Sequence, residues 1–122
     1  MFKPLGGSLT QEVVCLTGKW TFEDGAGTPD TLVHEGFTVG VSATGQQVIT
    51  LNDRYNSLVA VSMTYLDTDL GKGTTEQLVT EDVGGDKTIK VQYLEADGTV
   101  QTEGNLEGKS VYCMIWLKNS SV

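Results

Sequence analysis

The chain is short of several things, and each shortage closes off a class of chemistry. It has one histidine, His34, and two cysteines, Cys15 and Cys113. A structural zinc site needs four such ligands drawn together, and two distant thiols with one imidazole do not supply them. A nucleophile needs a base within reach and a group that orients that base. His34 stands between Val33 and Glu35, with no serine in a sharp strand-to-helix turn nearby, so it reads as a surface or packing residue. Basic residues are also scarce: eight Lys and Arg stand against sixteen Asp and Glu, for a net charge of −8. Nucleic acids are bound by basic side chains that displace counterions from phosphates. Even Lys87 and Lys90 sit among Asp82, Asp86 and Glu95. Neither nucleic acid nor an anionic membrane is an expected partner. No apolar run approaches the ~20 residues that a membrane-spanning helix requires. The start, MFKPLGGSLTQ, lacks the apolar stretch of a secretory leader, which predicts synthesis in a cytoplasm. That compartment keeps thiols reduced. Two buried free thiols are therefore the default, and a Cys15–Cys113 bridge clamping the first and last strands is the open alternative.

The motifs that carry chemistry are missing as well. Asp67-Thr68-Asp69 resembles the start of a calcium loop. A hand-type loop wants an oxygen ligand fifth, Gly sixth and Glu twelfth. Those positions hold Gly71, Lys72 and Leu78, so at most a weak, open calcium site near Asp67 and Asp69 is left. Gly25-Ala26-Gly27 lacks the third glycine and the strand-to-helix setting of a dinucleotide fingerprint. Glu76, Glu81 and Asp82 are acids on an acidic chain, and nothing singles them out as an acid–base pair. The residues point to no catalytic group, no metal and no cofactor.

Two prolines and fifteen glycines punctuate a chain rich in period-two apolar alternation, the mark of strands with one buried face. Gln11 to Phe22 reads as one long strand or as two shorter ones with a bulge at Gly18; Val14, Leu16, Trp20 and Phe22 share one parity, with Val13 and Cys15 on the other. Residues 35–66 hold three apolar runs, around Phe37–Val41, Val48–Leu51 and Val59–Tyr65. They are divided by Thr44-Gly45 and by a polar stretch, Asn52 to Ser57, that suits a turn or one helical turn. They predict a three-strand antiparallel unit at the centre of the sheet. Gln77–Val83 reads as a weak strand, and Gly84-Gly85 suits a hairpin turn. Ile89, Val91 and Tyr93 point inward with Lys90 and Gln92 outward, and Ala96-Asp97-Gly98-Thr99 suits another turn. The spacing of turns predicts an all-β fold of about eight strands, an antiparallel β-sandwich, jelly-roll-like or closed as a small barrel. Residues 1–10 form no periodic element and read as an extended N-terminal arm. Residues 11–122 make one β-sandwich domain.

The last strand, Ser110–Lys118, is apolar on both faces. Val111, Cys113, Ile115 and Leu117 share one parity and Tyr112, Met114 and Trp116 the other. A surface strand should be polar on one side, so the second face either lies under the N-terminal segment or meets another chain. The candidate interface residues are Tyr112, Met114 and Trp116, with Phe2 and Leu5 on the arm. Aromatic residues anchor interfaces disproportionately.

Three stretches carry a family resemblance: FKPLGGSLTQEVVCLTGKWTF, then GFTVGVSATGQQVITLNDRYNSLVAVSMTYL, and the ending Ile115-Trp116-Leu117-Lys118-Asn119-Ser120-Ser121-Val122. Together they resemble the small structural proteins with which tailed bacteriophages decorate or cement their capsids, Thr50 to Leu58 most closely. The loops 23–30, 67–75 and 95–108 have no counterpart. The resemblance implies a β-rich module, commonly a homotrimer, on the capsid exterior. It would bind the major capsid protein at symmetric junctions and bridge its neighbours, with no enzyme activity and no cofactor. A second reading, of a different class, is a ligand-binding β-sandwich, such as a carbohydrate-binding or host-adhesion module. It requires Trp20 or Trp116 to lie flat and exposed in a groove. The capsid reading requires both to be buried, in the core or between subunits.

Overall fold

The computed structural model describes residues 12–24, 27–66, 75–100 and 106–119. The N-terminal arm, with Phe2 and Leu5, and the Asp67–Asp69 segment lie outside the described residues. Eight strands run in order: β1 (Val13–Phe22), β2 (Pro29–His34), β3 (Phe37–Ala43), β4 (Gln46–Leu51), β5 (Ser57–Leu66), β6 (Thr75–Asp82), β7 (Thr88–Leu94) and β8 (Ser110–Lys118). They form two four-stranded antiparallel sheets, β2-β1-β8-β5 (sheet A) and β3-β4-β7-β6 (sheet B). The expected antiparallel sandwich of about eight strands is what the chain forms. The sheets stay open, so the barrel alternative is not taken.

The core is the set of inward parities that the alternation marked. Leu16, Trp20, Phe22, Val111, Ile115 and Leu117 of sheet A meet Phe37, Ile49, Leu51, Ile89, Val91 and Tyr93 of sheet B, all buried. Burying each large side chain contributes about 1.5–3 kcal/mol. Trp20 meets Phe37 edge-on at 6.3 Å, and Phe22 meets Tyr93 edge-on at 5.3 Å. Such contacts add about 0.5–1.5 kcal/mol beyond area burial. Val83 and Leu106, from loops, close the two ends of the core and are also buried.

Four local expectations are corrected. Residues 35–66 are not one three-strand unit: β3 and β4 pair, but β5 crosses to sheet A and pairs with β8 at the sheet edge. The centre of the sandwich is β1 with β8 and β4 with β7. Next, residues 29–34, read partly as loop, form the edge strand β2, with Pro29 at its first position, where a missing N–H costs no ladder bond. Third, Gly18 carries no bulge in the β1–β8 ladder, where it sits regularly opposite Cys113. A Cβ there would overlap the Phe37 ring, so the glycine serves close packing between sheets. The irregularity falls instead on β2, where residues 31 and 32 lie opposite Trp20 alone. Finally, no helical turn occurs over residues 52–56.

The turns follow local chemistry. Gly45 and Gly98 take positive φ, 78° and 90°, which costs a glycine nothing. Asp97 Oδ1 accepts from the amide and hydroxyl of Thr99, and the backbone bond from that amide holds the Asp97 carboxyl below its ordinary pKa. In the β6–β7 turn the left-handed residue is Lys87, φ 66°, rather than either glycine of the expected Gly84-Gly85 turn. The Lys87 amide bonds back to the Asp82 carbonyl.

Candidate functional site

The two outer faces of the sandwich differ in kind. On sheet B the outward row Gln46–Gln92–Gln77 is in register across β4, β7 and β6. The Gln46 amide donates to Gln92 Oε1 at 3.2 Å, and the Gln92 amide donates to Gln77 Oε1 at 2.6 Å. Lys90 stands in the next row. This face is polar, as a solvated sheet should be.

Sheet A turns the opposite chemistry outward. Register places Cys15, Trp116 and Ala60 in one row, Thr17, Met114 and Ser62 in the next, and Lys19, Tyr112 and Thr64 in a third. Tyr112 and Met114 are 42% and 44% exposed and Val13 is 58% exposed, while Trp116 is half-buried among its neighbours. The Lys19 ammonium sits 5.1 Å from the centre of the Tyr112 ring. That cation–π contact is worth about 0.5–1 kcal/mol at an exposed site. A shallow depression of about 230 Å³ lies between Thr17, Ser62, Thr64, Tyr112 and Met114. Strands β1, β5 and β8 contain no acidic residue, and Lys19 and Lys118 are their only charged ones. On a chain with sixteen acids, the acids are thus kept off these three strands, while the edge strand β2 carries Asp30 opposite Thr21.

Of the five residues singled out from the sequence, Tyr112, Met114 and Trp116 come together on the outward face of β8; Phe2 and Leu5 fall outside the described residues. The sequence reading missed their neighbours Val13, Cys15 and Ala60. The signal was there in part, since Val13 and Cys15 had been placed on the outward parity of β1, but the β1–β8 register is what joins them to Trp116. Trp20 is wholly buried. Trp116 is half-buried in the row it shares with Cys15 and Ala60.

The thiols do not bridge. Cys15 faces outward and is exposed; Cys113 faces the core, and both are free. Burial, with a smaller contribution from Cys15, pushes the Cys113 thiol up to about 12. His34 is exposed at the end of β2, its ring 5.5 Å from that of Phe37, beside a hollow it shares with Thr17, Lys19 and Glu35. Glu76 stands half-buried where β5 and β6 part, beside Val61, Met63 and Leu78, at a hollow of about 100 Å³. Loss of hydration raises its carboxyl pKa. Among the described residues no three His, Cys, Asp or Glu are grouped to hold a metal, and no helix is long and apolar enough to cross a membrane.

One polar group inside the core went unread. Gln47 is fully buried on the inward face of β4. Its Oε1 accepts from Trp20 Nε1 at 3.2 Å and from the Tyr93 hydroxyl, and its Nε2 donates to the Gly27 carbonyl. The amide therefore ties sheet A, sheet B and the β1–β2 loop together. Burial keeps the Tyr93 hydroxyl protonated, well above its ordinary range.

No family model, curated protein or solved structure matches the chain.

Proposed function

We propose that this chain is a structural, non-catalytic protein of a tailed-phage virion, decorating the capsid exterior and docking on the major capsid protein through the outer face of sheet A. The observation that carries this reading is the partly apolar surface around Tyr112, Met114 and Trp116, on strands that carry two lysines and no acid, on a strongly acidic chain. Exposed apolar patches rimmed by polar residues mark interaction sites, and aromatic and methionine side chains are enriched in them. A face that spans three strands with only a shallow depression suits another protein surface better than a small ligand, which prefers an enclosing pocket. The family resemblance supplies the kind of partner.

The carbohydrate-binding reading has less support, because Trp20 is buried in the core and Trp116 is half-buried rather than laid open. The test uses capsids of the phage that encodes the chain, stripped of it and mixed with purified protein. Wild type should co-sediment with the shells. Met114→Asp should lose most of that binding while its circular dichroism stays unchanged. Equal occupancy by the variant, or absence of the chain from purified particles, overturns the reading. Glycan binding abolished by Trp116→Ala would favour the carbohydrate module instead.

A further inference from the structure

Each sheet has two edges, and proteins usually defend edges with charge, proline, irregularity or brevity. Strand β2 is six residues long, begins with Pro29, carries Asp30 and is irregular opposite Trp20. Strand β6 carries Glu76, Glu81 and Asp82 and has an irregularity between Leu78 and Thr80. Strand β3 is uncharged, but Gly40 weakens its middle and its register breaks between Val41 and Ala43. Strand β5 has none of these defences beyond Ala60. Its ten residues, Ser57–Leu66, include no charge, no proline and no glycine. After an irregularity between Leu58 and Ala60, it runs in unbroken register from Ala60 to Leu66. Val59 and Leu66 are 52% and 48% exposed. Among the described residues it has a strand neighbour on one side only, β8.

We infer that β5 pairs with β5 of a second copy of this chain, joining two A sheets into one continuous antiparallel sheet across a two-fold axis. Charge selects the occupant. Two copies at −8 each repel wherever acids meet, and like charges directly opposite one another destabilise a strand pair. In a β5–β5 ladder no register opposes a charge to a charge, because the strand has none. An antiparallel strand is also self-complementary, so one patch serves both partners, as a closed two-fold contact requires. Directly opposed residues in such a ladder share a face. The two-fold therefore sets both outer A faces on the same side and doubles the surface that carries Tyr112, Met114 and Trp116. This differs from the three-fold grouping implied by the family resemblance. It concerns the isolated chain alone and stands or falls apart from the virion reading.

The experiment is sedimentation equilibrium of the full chain over a wide concentration range, at low and at moderate salt. The mass should rise from 13.1 kDa toward twice that value. Association should tighten with salt, because screening weakens the repulsion between the remaining acids. Ser62→Asp, at an exposed outward position, places like charges near the axis and should weaken dimerisation about tenfold. Its thermal melt at low concentration, where only monomer is present, should match wild type. Amide exchange across residues 57–66 should slow as concentration rises. A monomer at every concentration, a trimer, or a dimer indifferent to Ser62→Asp with no protection of β5 would each overturn the inference.

Discussion

Replacing Gln47 with leucine removes, at nearly constant volume, a polar side chain that joins both sheets and the β1–β2 loop. Three groups lose their partner: the Trp20 N–H, the Tyr93 hydroxyl and the Gly27 carbonyl. Each buried group left unsatisfied costs about 1–3 kcal/mol. With some relaxation of the loop around Gly27, the sum is about 3–6 kcal/mol. A domain's whole stability is about 5–15 kcal/mol. The melting temperature should fall about 12–24 °C, at roughly 4 °C per kcal/mol for a chain of this length. Urea unfolding followed by tryptophan fluorescence reads the change directly, since Trp20 leaves a fully buried site. Gln47→Glu adds a pH signature. Protonated, the acid still accepts from Trp20 and can donate to Gly27; ionised, it is a buried charge. Its folded pKa then lies above the ordinary ~4.3 of glutamate. The sign follows: stability is fully present below that ordinary value and is lost as pH rises through the folded one. The double variant Gln47→Leu, Tyr93→Phe removes one of the three orphaned groups and should recover about 1–3 kcal/mol of the loss, the Trp20 N–H and the Gly27 carbonyl staying unpaired. If Gln47→Leu alone stays within about 1 kcal/mol of wild type, the network does not hold the sheets together.

Two further outcomes follow from the packing and the thiols. Gly18→Ala puts a methyl group into the Phe37 ring, and overpacking of this kind should cost about 1–3 kcal/mol in urea unfolding; no loss would mean that the ring has room to move. Thiol titration without reductant should find one fast-reacting sulfhydryl in the native protein, Cys15, and a second, Cys113, only after unfolding. Cys113 is 3% exposed and its thiol is pushed up to about 12; two equally fast thiols, or none after unfolding, would contradict this assignment.

The alternation of β1, β7 and β8 was legible because each packs one face on the core, so period two in the sequence becomes inside and outside in the structure. Trp20, Ile89, Val91, Tyr93, Ile115 and Leu117 all fell on the expected side. Gln47 was not legible. A glutamine beside Gln46 looks like surface, and only the spatial approach of Trp20, Tyr93 and Gly27 makes its burial tolerable. Leu106 was missed for a related reason: it packs into the core from a loop with no periodicity to mark it.

Strand β5 is read from the sequence as part of one central unit with β3 and β4, with Val59, Val61, Met63 and Tyr65 on one parity, and the structure places it at an edge with a shifted parity. The irregularity between Leu58 and Ala60 shifts the parity, so Leu58, Val61, Met63 and Tyr65 are the half-buried residues and Val59 is exposed. A strand buried on both faces at the centre of a sheet and a strand waiting for a partner at its edge have the same composition. Both avoid charge, one because desolvation is costly, the other because a charge would keep the partner away. Sequence period cannot separate the two. Sheet order does, and it places β5 at the edge. The same logic applies to β8, whose outward residues Tyr112, Met114 and Trp116 lie at the middle of sheet A and yet are only partly covered. Apolar surface in excess of what the core needs, concentrated on one sheet and one of its edges, is the feature on which the proposed assembly with other chains rests.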